Sequence, residues 1–132
     1  MLKRLDHIGI VVENIQQACQ AYAGLGMKVS HMLDLPTKSV TVAFLPMGDM
    51  ELELLQPNAT GSNIADFLKE NGEGLHHICF EVTDLDATLQ SVREAGLILI
   101  DEVPRQGATG RIAFINSEST NGVLIELMEK TR

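Results

Sequence analysis

The chain has 132 residues, 45% of them apolar and 21% charged, which suits one soluble domain with a real core. A formal net charge of −8 argues against non-specific binding to nucleic acid, and an anionic ligand would need a local basic patch. No apolar stretch approaches the roughly 20 residues of a membrane span. The short apolar run after Lys3 and Arg4 is broken by Asp6, His7 and Glu13, unlike a signal peptide. Cys19 and Cys79 are too few for a disulfide scaffold and fit a reducing cytoplasm as small buried apolar residues.

In chain order, Leu5–Val12 is β-branched and apolar and predicts a strand. Asn14 can cap a helix over Ile15–Ala23, with Ile15, Ala18, Cys19 and Tyr22 on one face and Gly24 and Gly26 stopping it. Met27–Leu33 is the next expected strand, followed by a loop at Pro36. Val40–Pro46 and Met50–Gln56 predict a hairpin turning at Gly48-Asp49. A polar connector over Pro57–Ser62 leads to a short helix, Asn63–Asn71, with Ser62 as its cap. The order then recurs. Gly74–Val82 is a strand, Asp84 caps a helix over Leu85–Ala95, and Leu97–Val103 is a strand. Pro104–Gly110 is a loop, and Arg111–Asn116 and Val123–Glu129 are the last strands.

This is an internal repeat at an offset of 70 residues, with His7/His77, Ile8/Ile78, Gly26/Gly96, Ala43/Ala113 and Phe44/Phe114 among its identical pairs. In the final hairpin the offset becomes 73, because the turn over Asn116–Gly122 is longer, and Leu52-Glu53-Leu54 then matches Ile125-Glu126-Leu127. The expectation is one domain over residues 1–132: module one at about 3–57, a connector and short helix at 58–73, module two at about 74–130. Its class is α+β, two tandem βαβββ modules forming a curved, mostly antiparallel sheet around a metal cleft.

Strand alternation gives the chemistry its direction. Ile8, Ile10 and Val12 share the face opposite His7, and Ile78, Phe80 and Val82 the face opposite His77. Leu52 and Leu54 lie opposite Glu53, and Ile125 and Leu127 opposite Glu126. The apolar sets can pack under a helix, which sends His7, Glu53, His77 and Glu126 to the other face. Two imidazoles and two carboxylates are a nitrogen/oxygen donor set for a divalent metal with open positions, able to act as a Lewis acid on a carbonyl oxygen. A lone strand histidine is usually a hydrogen-bonded core residue and a lone glutamate is usually solvated; four at repeat-related positions favour a metal. His76 alternates away from His77 and takes a structural or rim role. His31 has no evident partner. Asp6 and Asp49 read as turn or strand-edge residues rather than ligands, Glu81, on the His77 face, as solvated ahead of a group supporting the site, and Glu51 shares a face with Glu53 but has no repeat partner.

Paired βαβββ modules with this tetrad resemble the vicinal oxygen chelate superfamily, and the resemblance is closest to the methylmalonyl-CoA epimerases. It runs nearly end to end, through Leu5-Asp6-His7-Ile8-Gly9-Ile10, Val42-Ala43-Phe44-Leu45-Pro46, Glu51-Leu52-Glu53-Leu54-Leu55 and Gly72-Glu73-Gly74-Leu75-His76-His77-Ile78. Pro104-Arg105, Gly107-Ala108, Gly110, Ser119-Thr120 and Gly122-Val123-Leu124-Ile125-Glu126-Leu127 complete the pattern. The resemblance implies a metal (cobalt, nickel, manganese or zinc) held by His7, Glu53, His77 and Glu126. It implies an acyl-CoA thioester substrate, and epimerisation of (2R)- and (2S)-methylmalonyl-CoA by α-proton abstraction through a metal-stabilised enolate. It also implies a cytoplasmic homodimer. Two bases suit a pseudo-twofold site.

Departures bear on the bases. Some epimerases carry Gln where this chain has Glu53, whereas glyoxalase I has Glu there. Some carry a non-ligand Glu on the third strand, where this chain has Thr41. Glu126, with Glu53, is the best remaining candidate for proton transfer. Many epimerases have His-Pro-Lys where this chain has Asn116-Ser117-Glu118. Lys38, Arg105 and Arg111 are the cations to test for anion contacts. Three other readings compete. Glu53 favours a glyoxalase I-type lactoylglutathione lyase. A non-catalytic small-molecule-binding member would more often lose the tetrad. A dioxygenase would need iron held by two histidines and one carboxylate, which a fourth protein ligand makes less attractive.

Overall fold

Asn14 and Asp84, one in each half, stand where a helix must start. Each side chain accepts a hydrogen bond at 3.0 Å, Asn14 from the N–H of Gln17 and Asp84 from that of Ala87. The computed structural model describes residues 1–131. Its elements are β1 (Leu2–Val11), α1 (Ile15–Ala23), β2 (His31–Leu35), β3 (Val40–Met47), β4 (Met50–Pro57) and α2 (Asn63–Asn71). They continue as β5 (Gly74–Val82), α3 (Leu85–Glu94), β6 (Arg105–Gln106), β7 (Gly110–Ile115) and β8 (Ile125–Lys130). The chain forms two compact units. One is His7–His76; the other is residues 1–6 with 77–131.

In the first unit α1 returns the chain to its starting end, so β2 runs with β1, β3 turns back, and β4 again runs with β1. The pairings follow: β2 with β3 and β3 with β4 antiparallel, β4 with β1 parallel. The second unit repeats this, with β6, β7 and β8 antiparallel and β8 parallel to β5. Each sheet is therefore mostly antiparallel with one parallel pair.

Ile15 of α1 is buried, and Ala18, Cys19 and Tyr22 join it against Ile10, Val12, Ala43, Leu45, Leu52 and Leu54. In the second unit Leu85, Leu89 and Val92 of α3 cover Phe80, Val82, Ala113, Ile115, Ile125 and Leu127. These are the apolar faces expected from alternation. Both helices close alike. Gly26 (φ +92°) and Gly96 (φ +86°) take the left-handed conformation, and the next N–H, Met27 or Leu97, bonds back to Tyr22 or Val92.

The opposite faces carry more apolar material than alternation at the donors suggested. In the first unit α2 lays Ile64, Phe67 and Leu68 on Val11, Val40, Val42, Phe44 and Leu55. In the second, Cys79, Ile112 and Met128 cluster with Phe114.

Two expected strands move. The strand expected over Met27–Leu33 is His31–Leu35, because residues after Gly26 are still closing the helix and pairing with β3 proper begins opposite Phe44. The strand expected over Leu97–Val103 is reduced to one bridge, Leu99 to Ile115. Its N–H groups at Ile100 and Asp101 both reach the Phe114 carbonyl, at 2.9 and 3.3 Å, so the pairing is bulged. Regular pairing resumes only at Arg105-Gln106, inside the expected loop, beyond Pro104, which has no N–H to give. Gly110 opens β7 where a Cβ would stand 2.1 Å from the Glu129 carbonyl oxygen, so this close approach admits only glycine.

Candidate metal centre

Glycine at position 9 and cysteine at position 79 mark how each half builds its donor pair. Glu53 lies opposite Gly9 across the parallel β4–β1 pairing, and His7 is two residues back on the same face. Glu126 lies opposite Cys79 across β8–β5, with His77 two residues back. In both halves histidine and glutamate are thus diagonal neighbours. The His7 Nδ1 meets a Glu53 carboxylate oxygen at 3.2 Å, with side-chain exposures of 7% and 15%. The His77 Nε2 meets a Glu126 oxygen at 3.1 Å, with exposures of 7% and 10%. Each predicted pair is therefore assembled and nearly closed to solvent.

The spacing suits metal chemistry as well as a hydrogen bond. Two donors about 2.0–2.2 Å from one ion and about 90° apart are separated by about 3 Å. An imidazole nitrogen with a carboxylate oxygen is a donor set that zinc, cobalt, nickel and manganese accept. The residues present fit such an ion.

Aromatic rings stand beside both pairs. Phe44 lies opposite Glu53 and Phe114 opposite Glu126. Phe114 also meets His77 edge-on, with centroids 6.1 Å apart. His31 stacks on Phe44 at 4.3 Å and 9°, its Nδ1 2.9 Å from the Ser30 hydroxyl. That answers the missing partner of His31, and the identical repeat pair Phe44/Phe114 was the signal available. His76 takes its structural role edge-on to Phe67, at 4.9 Å.

One expectation is overturned. Glu81 is not solvated; it is buried, as is Asp6 on β1. Asp6 pairs with Arg4 at 2.8 Å and Lys130 at 3.0 Å, and Glu81 pairs with Arg4 at 3.3 Å and Lys3 at 3.5 Å. The reason is that residues 1–6 pack into the second unit and bring three cations to two carboxylates. Hydrogen bonding to Asp6, assisted by Glu81, holds the Arg4 guanidinium above its ordinary pKa.

Thr41 accepts a hydrogen bond from the Asn58 amide at 2.8 Å and offers no carboxylate. Asp49 lies in the β3–β4 turn. Lys38 is exposed on a short helical turn. Asn116 caps the next such turn by accepting from the Glu118 N–H. Arg111 bonds Asp86 and Glu129, which raise its pKa in that order. Arg105 pairs with Asp101 at 3.2 Å and lies 5.4 Å over the Phe114 ring. Burial pushes the Cys19 thiol up. Among the described residues no helix is long and apolar enough to cross a membrane.

The model of the Glyoxalase/Bleomycin resistance protein/Dioxygenase superfamily matches residues 6–115. An uncharacterised protein of Bacillus subtilis is 44% identical over 97% of this chain and 93% of its own. The ethylmalonyl-CoA/methylmalonyl-CoA epimerase of Cereibacter sphaeroides is 39% identical over 96% of this chain and 98% of its own. A variant of the Streptomyces coelicolor methylmalonyl-CoA epimerase, solved in complex with 2-nitronate-propionyl-CoA, superposes with a TM-score of 0.91 at 34% identity over 100% of both chains. The chain belongs to the glyoxalase/bleomycin resistance protein/dioxygenase superfamily, among relatives and structural neighbours named as methylmalonyl-CoA epimerases.

Proposed function

We propose that this protein is a metal-dependent methylmalonyl-CoA epimerase that interconverts the 2R and 2S thioesters by moving the α-proton. The observation that carries the reading is that both halves independently bury a histidine–glutamate pair at repeat-related positions, in a chain near-completely covered by relatives of that name. His7, Glu53, His77 and Glu126 would hold the divalent ion, the two pairs meeting in one chain or between the two copies of a cytoplasmic homodimer. When bound, such an ion supplies Lewis-acid polarisation of the substrate's carbonyl oxygens, which acidifies the α-proton.

The chain's own residues then account for the proton. Thr41 leaves no third-strand carboxylate to act as base, so Glu53 and Glu126 are the groups that take and return it. One removes the α-proton on one side, and the protonated partner delivers a proton on the other, which inverts the carbon. The histidines orient the carboxylates, and the low exposure of all four side chains keeps bulk water from competing. Phe114 and Phe44 wall the two pairs.

The test is α-proton exchange of methylmalonyl-CoA in deuterium oxide, followed by NMR. Exchange is expected with metal-loaded protein and is lost after chelation. A glyoxalase I-type lyase is the second reading, favoured by Glu53. Turnover of a methylglyoxal–glutathione adduct with no exchange would replace the first reading by the second.

A further inference from the structure

The fold leaves one guanidinium parked beside a donor pair. Of the four arginines among the described residues, three are committed elsewhere: Arg4 to Asp6 and Glu81, Arg93 to Glu102, Arg111 to Asp86 and Glu129.

 The fifth arginine of the sequence, Arg132, lies outside the described residues. Arg105 faces the donor side of its sheet and, unlike Arg4, is not tied between two carboxylates there. It pairs in register with Ile112, which pairs with Met128, and Phe114–Glu126 is the next same-face row of that ladder.

Its position is built. Asp101 accepts the Phe114 N–H with one oxygen at 2.8 Å and meets the Arg105 Nε with the other at 3.2 Å. One carboxylate thus ties the guanidinium to the backbone of the residue whose ring it covers, at 5.4 Å from the centroid. The same ring meets His77 edge-on at 6.1 Å. Only Nε is used by Asp101, and among the described residues no other carboxylate bonds Arg105. The Nη fork, on a side chain about half exposed, is left to a planar anion. A chain with net charge −8 needs such a local cation to take an acyl group that carries a free carboxylate.

We propose that Arg105, held over Phe114 by Asp101, is the clamp for the free carboxylate of the malonyl-type acyl group. This deepens the epimerase reading and rests on it. The clamp selects 2-carboxyacyl thioesters over simple acyl thioesters, and it acts by binding, not by proton transfer. A bidentate guanidinium–carboxylate contact fixes the plane of the carboxylate, and with it the face of the α-carbon shown to the bases.

The test compares competitive inhibition by malonyl-CoA and by propionyl-CoA, which lacks the carboxylate, in wild type, Arg105→Gln and Arg105→Lys. In wild type, malonyl-CoA is expected to bind more tightly than propionyl-CoA. Arg105→Gln should weaken malonyl-CoA at least tenfold and propionyl-CoA less than twofold, with metal content unchanged, and Arg105→Lys should recover part of the loss. Equal weakening of both inhibitors would mean that Arg105 holds the CoA phosphates or the local fold, and would overturn the clamp. So would unchanged malonyl-CoA binding. The epimerase reading is judged separately by wild-type deuterium exchange: exchange without the discrimination loss sinks only the clamp, and no exchange sinks both.

Discussion

Val11 and Glu81 stand at the same position of the repeat, two pleats beyond His7 and His77, and they are used in opposite ways. Val11 is fully buried with Val40, Val42 and Leu55 under α2. Glu81 is buried among Lys3 and Arg4, beside the Asp6 network that also takes Lys130. Each unit closes the far end of its donor face, one with an apolar helix and the other with ion pairs from the first residues of the chain. The difference teaches that the donor pair imposes only that the end be closed; hydrophobic burial and satisfied charge both achieve it. The same holds for the covers of the two phenylalanines. Phe44 carries an imidazole and Phe114 a guanidinium, so the halves match at the donors and differ in what stands around them.

The largest expected effect tests whether the two donor pairs are equivalent. His7→Ala and His77→Ala are each expected to remove bound metal, measured by plasma mass spectrometry of dialysed protein, and to drop deuterium exchange to background. If one variant keeps its metal and the other does not, one pair is an ordinary hydrogen bond and the equivalence breaks. Next comes the exchange of supports. Val11→Glu puts an unpaired carboxylate under α2 and should cost about 3 kcal/mol or more in denaturant unfolding. A smaller loss would mean that α2 does not seal that end. Glu81→Val is the milder half of the swap, because Arg4 keeps Asp6 and Lys3 is half exposed. Its expected cost is about 1–2 kcal/mol by the same measurement. No loss at all would show that the ion network contributes specificity of packing and no net stability.

Much of this was legible in the sequence. The caps at Asn14 and Asp84, the glycines at 26 and 96 and the apolar faces of the strands follow from local rules, and each is found. The pairing of His7 with Glu53 and of His77 with Glu126 follows from repeat and alternation together. What was misread depended on partners. The residues after Gly26 have strand-like composition, yet only those opposite β3 pair. Leu97–Val103 opens on a strand-like apolar run, yet its pairing bulges at Phe114. Glu81 reads as solvated until Arg4, 77 residues earlier, is placed beside it.

The sequence by itself determined which side chains share a face, where helices begin and end, and which donor types recur, because each depends on neighbours within a turn or a pleat. Tertiary structure decided the rest. It chose Nδ1 of His7 but Nε2 of His77 as the atom that meets a carboxylate, buried Asp6 and Glu81, and laid Arg105 over Phe114. These outcomes rest on contacts between segments distant in the chain, and on the low-dielectric interior that makes an unpaired charge costly there. Alternation says which way a residue points; only packing says what it meets.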